Sequence, residues 1–291
     1  MHFFLQVLVN GLAAGSVYGL IAVGYSLTYM TTRTLNFALG MWVMLGGMLT
    51  YAFHVQLGIS PWLTGPLVVS LLFALGIVAE RITVHPFVRA GSELWVMSTL
   101  ALGLLFIDFA ELLWGRSQNL VPPYLGDAPI ALGAISIRPQ HLLAVLSACV
   151  VYFALDYFYS RSLHGKAFRA IAHDRRVSGL MGIHVRKMET WAYALASALA
   201  ALAGFLIVPI TGADPHFGTG LGFKAFAVAI IAGLSAPRGI LLCGLTYGAF
   251  EGLVSGYLYT GIRDILGFSL VILALYLRPE GLFGRPSEDR L

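Results

Sequence analysis

The chain has 291 residues, 58% hydrophobic and 11% charged, with a net charge of +4. A soluble domain carries about a quarter charged residues, so repeated apolar runs of roughly 20 residues mark an integral membrane protein. The runs lack period-two alternation, which argues against an outer-membrane barrel. The basic excess is a matter of topology and does not point to nucleic acid.

Eight or nine spans are expected. The first covers residues 3–30, and no basic stretch precedes it, so no secretory signal is expected. Its Gly11, Gly15 and Gly19 recur every four residues, leaving one face small enough for a neighbouring backbone to approach. Its 28 residues would extend about 42 Å against a hydrocarbon core of about 30 Å. The span either tilts strongly or hands over to the next inside the membrane, after the polar break 31–36. A break inside the membrane is tolerated where it lines a water-filled path. Asn36, with Phe37 and Gly40 after it, is therefore either a helix cap or part of a path. Residues 37–57, 61–82 and 94–114 form the next three spans, with Asp108 and Glu111 of the last read as interfacial. A turn-rich segment, 115–140, leads to a fifth span, 141–159.

Seven of the eighteen lysines and arginines lie in the loop that follows, residues 160–188. It reads as two short helices. Residues 166–173 place Ala167, Ala170 and Ile171 on one face. Asp174 is the expected N-cap of the second helix, which Gly182 ends before Ile183. Scattered basic residues touching anionic lipid would satisfy topology. An amphipathic pair with an alanine-rich face points instead to docking of a soluble protein on that face.

The sixth span, 188–210, has its own small-residue stripe at Ala196, Ala200 and Gly204. The seventh, 222–234, is short enough to be re-entrant. Lys224, after Gly218, Gly220 and Gly222, is expected to reach for the outer surface. The eighth, 239–258, carries Gly244, Gly248 and Gly252 on one face and Glu251 near its middle. A carboxylate there faces the bundle interior or an aqueous cavity. It is either a structural group, with Tyr247 and Ser255 one turn away as partners, or part of the path. Residues 265–277 form the ninth span. The whole chain, 1–291, reads as one all-α transmembrane domain.

Catalytic patterns are missing from the sequence: there is no phosphate-binding loop, no His-Glu-x-x-His and no Gly-x-Ser-x-Gly. Cys149 and Cys243 both lie in apolar runs, which suggests neither a disulfide framework nor a metal site.

Five segments in order carry a family resemblance. They are 10–24, Leu35-Asn36-Phe37-Ala38-Leu39-Gly40, Gly165-Lys166-Ala167-Phe168-Arg169-Ala170 through Gly182-Ile183, Gly220-Leu221-Gly222-Phe223-Lys224-Ala225-Phe226, and 277–284. Nearly the whole chain resembles the LivH-type permease subunits of bacterial ABC importers for branched-chain amino acids. The resemblance implies a type II-like importer fold in the bacterial inner membrane. It implies a second permease chain, a heterodimer partner, and a periplasmic substrate-binding protein. Two ATPase subunits would hold ATP and Mg, so this chain would need no cofactor and be no enzyme. The residues matching the family's coupling loop are Gly165, Lys166, Arg169, Ala170, Asp174, Gly182 and Ile183. Leu39 stands where the family usually has His, and the 232–239 turn also departs from the family pattern. The solute implied is a branched-chain amino acid, or a related amino acid, urea, an amide or an aromatic carboxylate. The rival reading is a stand-alone ion-coupled transporter, which calls for several midplane charges and an inverted repeat. Only Glu251 stands out, and no repeat does.

With the basic loop in the cytoplasm, fourteen basic residues fall inside, including Arg33, Arg81, Arg89, Arg238, Arg278, Arg285 and Arg290. Arg116, Arg138, Lys224 and Arg263 fall outside or within the membrane. This bias puts the N-terminus in the periplasm and the C-terminus in the cytoplasm. A cysteine placed at Ser117 should be labelled by an impermeant thiol reagent from outside, and one at Ser287 only after permeabilisation. The opposite pattern would refute the span map.

Overall fold

The computed structural model describes residues 2–132, 135–235 and 237–284. Arg285, Arg290 and Ser287 lie outside them. Helix α1 (His2–Thr32) runs unbroken because it contains no proline and no charged side chain. Several of its hydroxyls are satisfied within the helix: Ser16 donates to the Ala13 carbonyl and Thr32 to that of Thr28. The chain then reverses at Arg33, the described non-glycine residue with a left-handed φ, 57°. Asn36 closes the turn, its Oδ1 accepting the Ala38 N–H at 3.1 Å. This turn contact lies ahead of α2, whose N-cap is Ala38 with no side-chain cap bond.

α2 (Leu39–Thr50) widens into a π-helical turn, Tyr51–Gln56. α3 (Pro61–Ala79) continues through a second π-helical turn, Glu80–Val84, into α4 (His85–Arg89). α5 (Trp95–Trp114) ends at Gly115, whose φ of 78° stops the helix. The turn-rich segment holds an antiparallel hairpin that the sequence did not suggest, β1 (Ile130–Leu132) with β2 (Ile135–Ile137). α6 (Pro139–Arg161) leads into the short pair α7 (Leu163–His173) and α8 (Arg175–Leu180). α9 (Val185–Thr211), α10 (Phe217–Ala232), α11 (Pro237–Tyr257) and α12 (Arg263–Leu277) complete the bundle.

Seven of these rods are long and apolar enough to cross a membrane. Among the described residues, α2 with its π turn and the short α10 pack beside these seven without meeting that length and composition. α10 begins five residues earlier than the sequence suggested, because its glycine run is helical and packs on α2. At 16 residues it extends about 24 Å, less than the hydrocarbon core. Its C-terminal end is closed by the segment after α12: the Leu282 and Phe283 N–H groups donate to the Ile231 and Ala232 carbonyls at 2.7 and 3.1 Å. A helix that stops inside protein needs partners for its last carbonyls, and this segment supplies two.

α1, α2 and α9 occupy the centre, while much of α3, α5, α6 and α12 is apolar and exposed. The two glycine stripes expected from the sequence face each other across α1 and α11. A Cβ on Gly15 would sit 2.4 Å from the Gly244 carbonyl oxygen, and one on Gly248 2.3 Å from the Gly15 Cα. Gly11 meets Gly248, Gly252 meets Gly11, and Gly19 lies against Leu241. Gly204 of α9 is pressed onto Val43, and Gly40 onto Gly218 of α10. The bundle has two ends: one carries the hairpin and His2, joined by Gln6 donating to the Ser136 carbonyl. The other carries α7 and α8. They are the hairpin end and the basic end below.

Gly248→Leu should force α11 off α1 and sharply reduce the folded yield in the membrane, with overpacking costing about 3 kcal/mol or more. Gly220→Ala, where nothing lies within 4 Å of an added Cβ, should leave yield and thermal stability unchanged or slightly raised. Fluorescence size-exclusion of both variants checks the contrast.

Candidate functional site

The charges inside the bundle gather at one place. Lys224 of α10 is buried, and its Nζ lies 2.6 Å from Glu251 Oε1 and 2.9 Å from Asp264 Oδ1. Tyr18 of α1 donates its hydroxyl to the other Glu251 oxygen at 2.9 Å, and its ring lies 5.9 Å from the ammonium. Arg263 bonds Asp264 at 3.3 Å and stands 3.9 Å from Glu251. Two cations thus face two carboxylates, and four helices, α1, α10, α11 and α12, meet at the group. Lys224 therefore does not reach for the surface as expected; the Glu251 carboxylate holds it inside. Nor are Tyr247 and Ser255 the partners of Glu251. Their hydroxyls are buried without a hydrogen-bond partner among the described residues. The Tyr247 ring instead packs edge-on to Tyr18 at 6.2 Å.

The sequence did not single out Tyr18, Asp264 or Arg263. For Tyr18 the signal was available: three residues after Gly15, it shares the face that meets α11. Glu251 lies six residues before the end of α11, about 9 Å from its hairpin end. Asp264 and Arg263 stand at the start of α12, so the cluster opens toward that end through the more exposed Asp264.

At the basic end, the expected pair of short helices forms. Asp174 Oδ1 accepts the Val177 N–H at 2.9 Å and caps α8. Ser162 caps α7 in the same way, accepting the Gly165 N–H. Gly182, with a φ of 84°, ends the pair. The orientation of α7 differs from expectation. Phe168 and Ile171 are buried and Ala167 packs on the core, so the face bearing Ala167 and Ile171 turns toward the bundle and Ala170 is half-buried. Phe168 meets the Tyr159 ring at 5.9 Å. Gly165 lets α7 close on the end of α6, its missing Cβ leaving room for the Phe158 carbonyl. What points outward is Leu163, Val177, Leu180 and Met181, interleaved with the exposed Lys166 and Arg169. The pair is tied to the bundle twice: Arg33 donates to the Ala172 carbonyl at 2.9 Å, and Arg175 pairs with the buried Glu189 of α9 at 2.5 Å.

The remaining candidates lie apart. Phe37 stacks on Trp95 with centroids 6.4 Å apart and touches Phe226. Gly40 is filled by α10, and Ile183 packs half-buried on the core. Glu111 holds α5 to the loop before α10, bonding Arg116 at 2.7 Å and His216 at 2.9 Å.

Breaking the interior pair from one side should be costly. Lys224→Met takes the nearer cation from buried Glu251, leaving Arg263 at 3.9 Å, and is expected to destabilise the bundle by about 3 kcal/mol. Lys224→Met with Glu251→Leu should recover most of that loss. Thermal unfolding in detergent measures both, and a single variant as stable as the parent would show that the pair does not hold the helices.

Residues 7–275 match the family model described as branched-chain amino acid transport system / permease component. The chain is 29% identical over 303 residues to the high-affinity branched-chain amino acid transport system permease protein LivH of Escherichia coli (strain K12), spanning 99% of this chain and 98% of that one. It is 31% identical over 306 residues to the corresponding permease protein BraD of Pseudomonas aeruginosa, spanning 100% and 99%. Among solved structures, PsaBC from Streptococcus pneumoniae in complex with Fab aligns with a TM-score of 0.50 over 96% of this chain and 93% of that one. At 16% identity this is a likeness of fold alone. With a family match over almost its entire length, the chain belongs to the permease components of branched-chain amino acid transport systems.

Proposed function

We propose that this permease is the translocation subunit of an ATP-driven importer of branched-chain amino acids. The basic end would face the cytoplasm and the hairpin end the periplasm. A second, different permease chain completes the pathway, a periplasmic binding protein delivers the solute, and two ATPase subunits hold ATP and Mg. The full-length similarity to LivH and BraD supports the solute class. The observation that carries the coupling role is the outward face of α7 and α8. Leu163, Leu180 and Met181 are each about four-fifths exposed, set among basic side chains at the end of a membrane bundle. Anionic lipid alone would call for the charges and not for this apolar knob; a protein groove would bury both.

The geometry gives the knob a mechanical connection. Phe168 and Ile171 fix α7 to the bundle, Arg33 ties it to α1, and the Arg175–Glu189 pair ties α8 to α9. A displacement of the knob by the closing ATPase pair would thus reach α1 and α9, the central helices. Through the Tyr18–Glu251–Lys224 contacts, α1 carries α10, α11 and α12 with it. The rival ion-coupled transporter draws no support from this cluster, since Lys224 and Arg263 neutralise Glu251 and Asp264.

Leu180→Glu should place a charge in the docking contact and lower solute-stimulated ATP hydrolysis by about tenfold or more, as loss of a buried apolar anchor does. Ala170→Glu, on a half-buried position, should be less damaging to docking. Hydrolysis by the reconstituted assembly is the readout, with membrane insertion of the chain as control. Wild-type hydrolysis by Leu180→Glu would sink the coupling role.

A further inference from the structure

A cavity of about 540 Å³ lies beside α8, bounded by α9 and the π-helical turn Glu80–Val84. Its lining is chemically divided. Glu80 and Glu189 line it and are 1% and 4% exposed. Arg175, Arg176 and Arg186 also line it and are exposed. Glu189 is paired with Arg175 at 2.5 Å, whereas Glu80 accepts a hydrogen bond from the Thr190 hydroxyl at 2.9 Å. Among the described residues, no basic side chain lies within ion-pair distance of Glu80, and Arg176 and Arg186 make no ion pair.

Among the described residues Glu80 therefore has no direct cation contact, with Arg186, Arg81 and His85 acting on it only through space, and the rim holds two guanidiniums outside any ion pair. A buried carboxylate left without a cation is costly, and paired guanidiniums favour an anion. Glu80 also opens the π-helical turn, a conformation that gathers at functional sites because it is otherwise unfavourable.

We propose that this cavity binds a small zwitterion, its ammonium on Glu80 and its anionic group between Arg176 and Arg186. Two sources carry this chemistry: a free α-amino acid at the basic end, or the headgroup of an aminophospholipid such as phosphatidylethanolamine. The amino-acid source rests on the function proposed above; the lipid source does not. Either ligand bridges α8 to α3 and α9, and so sets how firmly the docking helix is held on the bundle.

The test uses the purified full chain in nanodiscs of phosphatidylglycerol, with no binding protein present. Radiolabelled L-leucine binding is measured first. Thermal unfolding is then followed as phosphatidylethanolamine replaces part of the lipid. If the ligand is an amino acid, leucine binds the parent, and Glu80→Gln and Arg186→Gln each weaken it about tenfold, the loss of one charged hydrogen bond. If it is a lipid, phosphatidylethanolamine raises the Tm of the parent and not that of either variant. Arg186 is exposed, so its variant keeps the experiment readable should Glu80→Gln fail to fold. The proposal is overturned if neither probe acts on the parent, or if both variants respond as the parent does. Leucine uptake by the reconstituted importer is measured alongside: absence of uptake would count against the solute assignment, while the phosphatidylethanolamine arm would still decide the cavity.

Discussion

Backbone touching backbone is the contact on which this bundle rests. Lipid tails are as apolar as leucine, so helices in a bilayer gain little from burying apolar side chains against one another. They gain from close approach, and this chain obtains it with glycine at each central crossing. Gly11, Gly15, Gly244 and Gly248 bring α1 onto α11; Gly204 brings α9 onto α2; Gly40 and Gly218 bring α2 onto α10. Closing α1 on α11 carries Tyr18 within hydrogen-bond distance of Glu251. The ionic cluster is thus a consequence of the glycine contact, and its carboxylate would be a liability at any wider helix separation.

The same economy explains α10. A helix too short to cross the bilayer exposes its ends, which the membrane does not tolerate. Here the basic-end terminus receives N–H donors from residues 282 and 283, with Gly233 and Gly281 both at positive φ so that the two turns can touch. The last signature of the sequence, 277–284, has its physical reason in that contact. The signature around Gly218, Gly222 and Lys224 has its reason in the α2 crossing and the ion pair.

What the sequence made legible is what has a period or a local grammar. The spans, the two glycine stripes and the Asp174 cap follow from spacing and capping chemistry alone. What stayed hidden depends on which distant residue arrives alongside. Lys224 looks like a surface lysine until α11 brings a carboxylate to it. Ala167, Ala170 and Ile171 look like a docking face because an amphipathic helix shows which side is apolar, and not whether a partner or its own bundle covers that side. Asp264 and Arg263, adjacent at a helix start, look like a solvated pair, and the hairpin at 130–137 is too short for any period to announce it.

The separation between Tyr18 and Glu251, 233 positions along the chain, bears on how the protein is made. Ribosomes add about 5–20 residues each second, so the first helix waits on the order of tens of seconds in the bilayer before its main partner emerges. During that interval its glycine face is bare, a groove open to any small-residue helix nearby. Lys224 is translated before Glu251, so this buried carboxylate enters a membrane that already holds both its cation and its hydroxyl donor. Vectorial synthesis thus lets Glu251 neutralise Lys224 on arrival, and Arg263 and Asp264 follow as a pair of opposite charge.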